Sequence, residues 1–207
     1  MLLNRLGRLT PLTGVVFAVL AAVAFATASG APSSTASGGR VIAFYEAHGS
    51  SAQVSDYLWM LAFAFLVLFA GSLRAYLRRT PGAEALSSVV LAGAAVLAAG
   101  AGVYFGFDYT LATTSSHLAP AAAQALNVLA LKLFLPVSAG GFVFGVASGL
   151  AILRGTQLPK WLGWVAIVIA LVTVSPAGLI GIVLFIFWTA IVSVLVWRRG
   201  ANVSDAS

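Results

Sequence analysis

The chain has 207 residues, of which 61% are hydrophobic and 8% charged, with a net charge of +6 and no cysteine, and its mean hydropathy is +1.04. A soluble domain carries roughly 25% charged residues, so there is too little polar material here to cover a water-facing surface, and the length leaves no room for a second, soluble domain. The absent cysteines exclude disulfides, thiolate metal sites and thiol redox chemistry, and the cations stand mostly at the ends of apolar runs, where topology explains them better than a nucleic acid does.

The apolar runs are continuous, not the alternating ~10-residue segments of an outer-membrane barrel. The fold class they predict is all-α: one transmembrane bundle over residues 1–207, with spans at about 11–28, 57–77, 85–107, 135–153, 161–175 and 179–197. Arg5 and Arg8 precede the first run, and Ala26-Thr27-Ala28 follows it, the pattern of a secretory leader. The run exceeds the ~7–15 residues of a leader's apolar core, so a retained first helix is expected.

Residues 31–56 read as a polar loop rich in Ser and Gly. Within it, Arg40 to His48 has the spacing of a short helix whose Val41, Phe44 and Tyr45 share a face fit for the bilayer surface. Tyr57 and Trp59 open the second span at interfacial depth, and Arg74, Arg78 and Arg79 close it. Thr80-Pro81-Gly82 signals a turn. Glu84 then begins the third span, which is rich in Ala and Gly and ends at Asp108.

After the polar stretch 109–118, residues 119–153 read as helix broken at Pro136, too long for a single crossing. Pro120–Phe134 is expected to approach the membrane as an amphipathic or partly buried helix, and about 135–153 to cross it, because proline is tolerated in a first helical turn. Between Lys160 and Arg198 lie 37 uncharged residues, which as one helix would run about 55 Å against a bilayer core of roughly 30 Å. Pro176-Ala177-Gly178 interrupts them near the middle. Proline ends the hydrogen-bond ladder and glycine permits reversal, so Pro176 and Gly178 are predicted to turn a transmembrane hairpin. Residues 201–207 read as a frayed tail.

Counting cations orients the bundle. Arg5, Arg8, Arg74, Arg78, Arg79, Arg154, Lys160, Arg198 and Arg199 fall at one end, Arg40 and Lys132 at the other. Positive charge favours the cytoplasmic side, which implies six helices with both termini cytoplasmic and short helical segments on the outer surface. Arginine outnumbers lysine nine to two amid abundant Ala, Gly and Val, a bias that points to a bacterial inner membrane.

Phe44-Tyr45-x-x-His48, Ala125-Leu126-Asn127, Leu158-Pro159-Lys160-Trp161-Leu162-Gly163-Trp164 and Pro176-Ala177-Gly178 resemble stretches of small multi-pass membrane proteins of unknown function common in actinobacteria. The resemblance implies a six-helix inner-membrane protein and carries no activity and no catalytic residues with it.

Several residues stand out as candidates. Asp108 and Lys132 are the charges nearest the hydrocarbon, and intramembrane ionisable groups tend to pair and to mark function; Gln124 and Asn127, one turn apart, would extend such a polar site. Glu46, His48, Asp56, Asp108 and His117 all fall on the outer side, where Glu46, His48 and His117 are candidate metal ligands, although their spacing matches no metal motif. Gly102-x-x-x-Gly106 and Gly141-x-x-x-Gly145-x-x-x-Gly149 place glycines along single stripes that let helices approach closely, first of all spans three and four against each other. No nucleotide loop, nucleophile elbow or row of intramembrane charges is visible, and no cofactor is expected.

Three functions follow in order of support: a non-catalytic accessory or scaffold bundle that packs with itself or another membrane subunit; a small solute or proton-coupled transporter using Asp108 and Lys132; and a membrane enzyme with an outward site around His48, Asp108 and His117. The expected partners are the lipid bilayer and either a second copy or another membrane protein, with no nucleic acid.

Overall fold

The computed structural model describes residues 9–204, with side-chain surroundings through residue 199. The described residues are helical apart from short connections. A 3-10 turn at Thr10–Leu12 leads into α1 (Thr13–Thr27), followed by α2 (Gly38–Arg78), α3 (Glu84–Thr114), a second 3-10 turn at Ser115–His117, α4 (Pro120–Lys132), α5 (Phe134–Leu153), α6 (Lys160–Thr173) and α7 (Gly178–Ser204). Five of these segments, α4 and α5 counted as one, are long and apolar enough to cross a membrane, and α6 is a shorter apolar helix. Arg5, Arg8 and residues 205–207 lie outside the described residues, whereas 201–204, expected to fray, continue α7.

Six helices close a ring in which each touches two neighbours, in the order α1, α2, α3, α5, α6, α7 and back to α1. The described chain starts and finishes at the same end, where the Ser193 hydroxyl of α7 donates to the Pro11 carbonyl before α1. That end carries Arg74, Arg78, Arg79, Arg154, Lys160, Arg198 and Arg199 and is called the basic end below. The outside of the ring is apolar: Val19, Leu61, Val96, Val168, Phe187 and Ile191 are all exposed, as suits contact with lipid tails rather than water.

The ring closes where glycine removes the side chain between backbones. A methyl group at Gly140 of α5 would fall on the Leu97 backbone of α3, and one at Gly93 would come within 2.5 Å of the Phe144 nitrogen. The glycine stripes singled out in the sequence work differently from expectation. Gly145 and Gly149 meet α6, where added methyls would lie 2.8 Å from Ala170 Cβ and 2.6 Å from the Gly163 carbonyl, and Gly141 makes ordinary contacts with Thr173 and Leu97. Gly102 and Gly106 have nothing within 4 Å of an added methyl and therefore pack no helix within the chain. The contact between the third and fourth spans instead runs through Gly93, Gly100 and Gly140.

The largest departure from expectation lies at the end opposite the arginines. The predicted polar loop and surface helix at 31–56 are mostly one helix continuous with the second span, so that α2 has 41 residues and extends about 60 Å. α3 runs on past Asp108 to Thr114. α4 folds back against both, and Val41, Tyr45, Ala52, Leu111 and Ala123 make a second, small core there. The sequence hid this because that core is built from single apolar residues in polar surroundings, a pattern too sparse for hydropathy to register. Phe44 and Tyr45 accordingly pack in this core and not on a bilayer surface. The helix break in 119–153 falls at Leu133, with Pro136 within the first turn of α5.

The two expected turns are present. Thr80-Pro81-Gly82 reverses the chain with Gly82 at φ +81°, and α6 and α7 are joined at Pro176-Ala177, where Ala177 N–H and Gly178 N–H bond to the Ser175 hydroxyl and carbonyl.

Overpacking a close helix contact typically costs about 1–3 kcal/mol. Gly140→Ala should therefore lower the melting temperature of the detergent-purified protein by several degrees, while Gly102→Ala, whose methyl meets nothing, should leave it unchanged or slightly higher because alanine favours helix. A thermal melt of both variants checks this, and equal effects would contradict the assigned contacts.

Candidate functional site

Inside the ring, towards the end opposite the arginines, is a cavity of about 460 Å³. Its position follows from helix length. α6 has 14 residues, about 21 Å, and contributes only its last residue, Thr173, to the lining. Beyond that point the space is bounded by α1, α2, α3, α5 and α7.

The wall is aromatic. Trp59 stacks on Phe105 with centroids 5.6 Å apart, Phe25 meets Trp59 edge-on at 4.9 Å, and Phe17 meets Phe185 edge-on at 6.0 Å; all five line the cavity. On α2 Trp59 and Phe63 follow one another at helical spacing, which makes one face of that helix both bulky and apolar, and α3 meets them with Phe105.

Against this wall stand two carboxyl groups. Asp56 of α2 and Asp108 of α3 face each other within hydrogen-bonding reach, and the Tyr45 hydroxyl, from one end of α2, donates to Asp108. Asp56 is 2% exposed, and its Oδ2 is buried with no hydrogen-bond partner. Tyr104 lines the cavity beside them. The other lining hydroxyls are already engaged, Ser55 with the Ala24 carbonyl, Thr173 with that of Ile169, and Ser29 with the Ser51 hydroxyl. Among the described residues no Lys, Arg or His lines the cavity. Asp56 thus lines the chamber while its Oδ2 lies buried beside it with nothing to accept from.

The segment between α1 and α2 covers this end. Ala28 to Ala31 line the cavity, with Gly30 at φ +81°, a backbone state that glycine adopts without strain. The buried Asn127 of α4 pins the segment by donating to the Ser33 carbonyl at 3.1 Å and the Pro32 carbonyl at 3.5 Å, and Ser29 and Ser51 share a hydrogen bond of 2.7 Å. On the other side Leu179, at the start of α7, lines the cavity and is also 65% exposed. Leu135 of α5 is likewise exposed, at 70%.

The candidates from the sequence are therefore redistributed. Asp108 is in the site, but its partners are Tyr45 and Asp56, while Lys132 is exposed on α4. Asn127 serves as a clamp on the covering segment, and its neighbour Gln124 is exposed. Glu46, His48 and His117 are all exposed. His48 stacks on Phe44, with its Nδ1 bonded to the Phe44 carbonyl. Among the described residues no three His, Cys, Asp or Glu side chains gather to hold a metal ion, so the proposed metal set is not assembled. Asp56, Tyr45 and Tyr104 escaped sequence reasoning as a group because 52 residues separate the two aspartates. The available signal was a carboxylate at the head of an aromatic run, Asp56-Tyr57-Leu58-Trp59, repeated in reverse at Tyr104-Phe105-Gly106-Phe107-Asp108.

Compared with known proteins, the chain matches no family model, no curated protein and no solved structure. Its functional reading rests on this geometry.

Removing the donor of a buried hydrogen bond strands the acceptor at a cost of about 1–3 kcal/mol. Asn127→Leu should free the segment 28–37, read as faster amide hydrogen exchange confined to that segment, with a lower melting temperature. Unchanged exchange there would show that Asn127 does not hold it.

Proposed function

We propose that this chain is a bacterial inner-membrane protein, with six passes and both termini cytoplasmic, that takes a lipophilic small molecule from the outer leaflet into the chamber of its helical ring. The single observation that carries the reading is the cavity itself: a largely aromatic and apolar space of about 460 Å³, within the range of about 300–1,000 Å³ typical of small-molecule sites, bordered by a residue that also faces the surroundings. With the basic end in the cytosol, the exposed, cavity-lining Leu179 lies in the outer half of the bilayer, and a ligand dissolved in lipid would reach the chamber beside it without crossing water.

We rank a binding or transport unit before an enzyme because the lining around the carboxyl pair is mainly apolar and aromatic. The permeation idea that motivated Asp108 and Lys132 survives in altered form, with Asp56 in place of the lysine. A scaffold role retains one specific support: the Gly102 and Gly106 face of α3, unoccupied within the chain, is suited to close approach by another helix in lipid. Analytical ultracentrifugation of wild type and Gly102→Leu in detergent tests that role. A wild-type dimer dissociated by the substitution supports it, and a wild-type monomer removes it.

Saturable binding of a single-chain lipophile to protein in nanodiscs, above that of protein-free nanodiscs, is the test of the main reading. Gly141 borders the cavity with room for a methyl group, the nearest contact being 3.6 Å, so Gly141→Leu should fill the chamber and reduce binding about tenfold or more while the fold persists. Absence of saturable binding would overturn the reading.

A further inference from the structure

We propose that the molecule this chamber selects is a single-chain amphiphile with a primary or secondary ammonium head, the head seated on the Asp56–Asp108 pair and the chain laid along the aromatic wall. The inference rests on the binding reading above and names its ligand class.

Four features converge on it. Asp56 presents a buried acceptor oxygen with no donor, and a carboxylate is an acceptor that a protonated amine satisfies with two or three N–H groups. The two carboxyls face a lining that holds no cation, and buried charge is retained only where it is paired. Trp59 and Phe105 line the same chamber, and aromatic rings attract cations over their faces within about 6 Å. The rest of the wall, from Phe17 to Leu179, is mainly apolar surface, the complement of a hydrocarbon chain. A carboxylate or phosphate head would meet like charge, an alcohol would leave the charge unbalanced, and a quaternary ammonium would leave Asp56 Oδ2 without a hydrogen bond.

The same geometry couples the site to protons. When the ammonium leaves, the charge it balanced has no other cation in the chamber, so protons taken up by the pair replace it. Cation entry releases a proton, and the local charge is conserved. The titratable groups facing the site are Tyr45 and Asp56 from α2 and Tyr104 and Asp108 from α3. The segments from α1, α5, α6 and α7 bring none to the lining, and Lys132 of α4 is exposed.

Equilibrium binding to nanodisc-embedded protein, measured with dodecylamine, dodecyltrimethylammonium, dodecanol and dodecanoate, tests the assignment without any variant. Hydrogen bonds to charged groups exceed neutral ones enough to give about ten- to hundredfold in affinity. Dodecylamine should therefore bind at least about tenfold tighter than dodecanol and dodecyltrimethylammonium, dodecanoate should bind weakest, and dodecylamine affinity should fall as the pH is lowered. Asp56→Asn should abolish the preference for the amine and its pH dependence while dodecanol still binds. If the alcohol or the quaternary ammonium equals the amine, or if the amine's affinity is independent of pH, the ligand class is wrong although the chamber still binds lipophiles. If none of the four binds saturably, the binding reading itself fails.

Discussion

Six staves of unequal length must close one ring, and most of the molecule follows from how that closure is achieved. In lipid every backbone polar group has to be satisfied within its own helix, so a stave that stops short cannot be extended by loop at membrane depth. α6 stops after 14 residues at the Pro176-Ala177 turn. Its neighbours α5 and α7 lean on it near the basic end through Gly145, Gly149 and the Trp188 indole, which donates to the Leu162 carbonyl. On the opposite side of the ring α2 and α3 overshoot. The result is a bundle tightly packed at one end and hollow at the other, and the hollow is closed by what the long helices carry.

What they carry is polar. The pair of aspartates sits where α2 and α3 pass each other, between the main core and the small core that α4 completes. Pairing carboxyl groups in such a place destabilises the fold unless the remaining lone pairs find donors. Tyr45 supplies one, from the upper core. Asp56 Oδ2 receives none. Aromatic rings line the chamber beside the pair, and a buried acceptor left without a donor there is costly.

Which of these facts the sequence disclosed follows from the reach of each signal. Hydropathy reads lipid contact, and lipid contact is continuous along a span, so the five helices long and apolar enough to cross a membrane, the shorter apolar sixth and the arginine end were visible from composition and order. Pro176 and Gly178 were legible because a backbone reversal demands particular residues at particular positions. The prolongation of α2 was not legible. Its outer part has Gly38, Gly39, Gly49, Ser50 and Ser51, residues that by themselves favour loop, and it is helical because Val41, Tyr45 and Ala52 meet partners on α3 and α4. Glycine spacing misled for a related reason. A stripe says that close approach is permitted, not by which helix, so Gly102 and Gly106 were indistinguishable from Gly93 and Gly140 until the neighbours were known. Asp56 and Asp108 each looked like interfacial charges, and only the crossing of two helices turns them into a pair.

The pairing also changes what kind of charge Asp108 is. An aspartate bonded to an exposed lysine would be a rim ion pair of small energetic consequence, and a ligand would gain little by displacing it. An aspartate held by a tyrosine and a second carboxyl, next to an aromatic chamber, keeps its demand for positive charge turned inward, where a ligand brings the only solution short of protons. In a bundle otherwise nearly free of intramembrane charge, so concentrated a demand is expensive as architecture, since apolar side chains of similar size would fill the same volume at lower cost. Its retention is understandable if the site is completed, part of the time, by something that arrives from outside the chain.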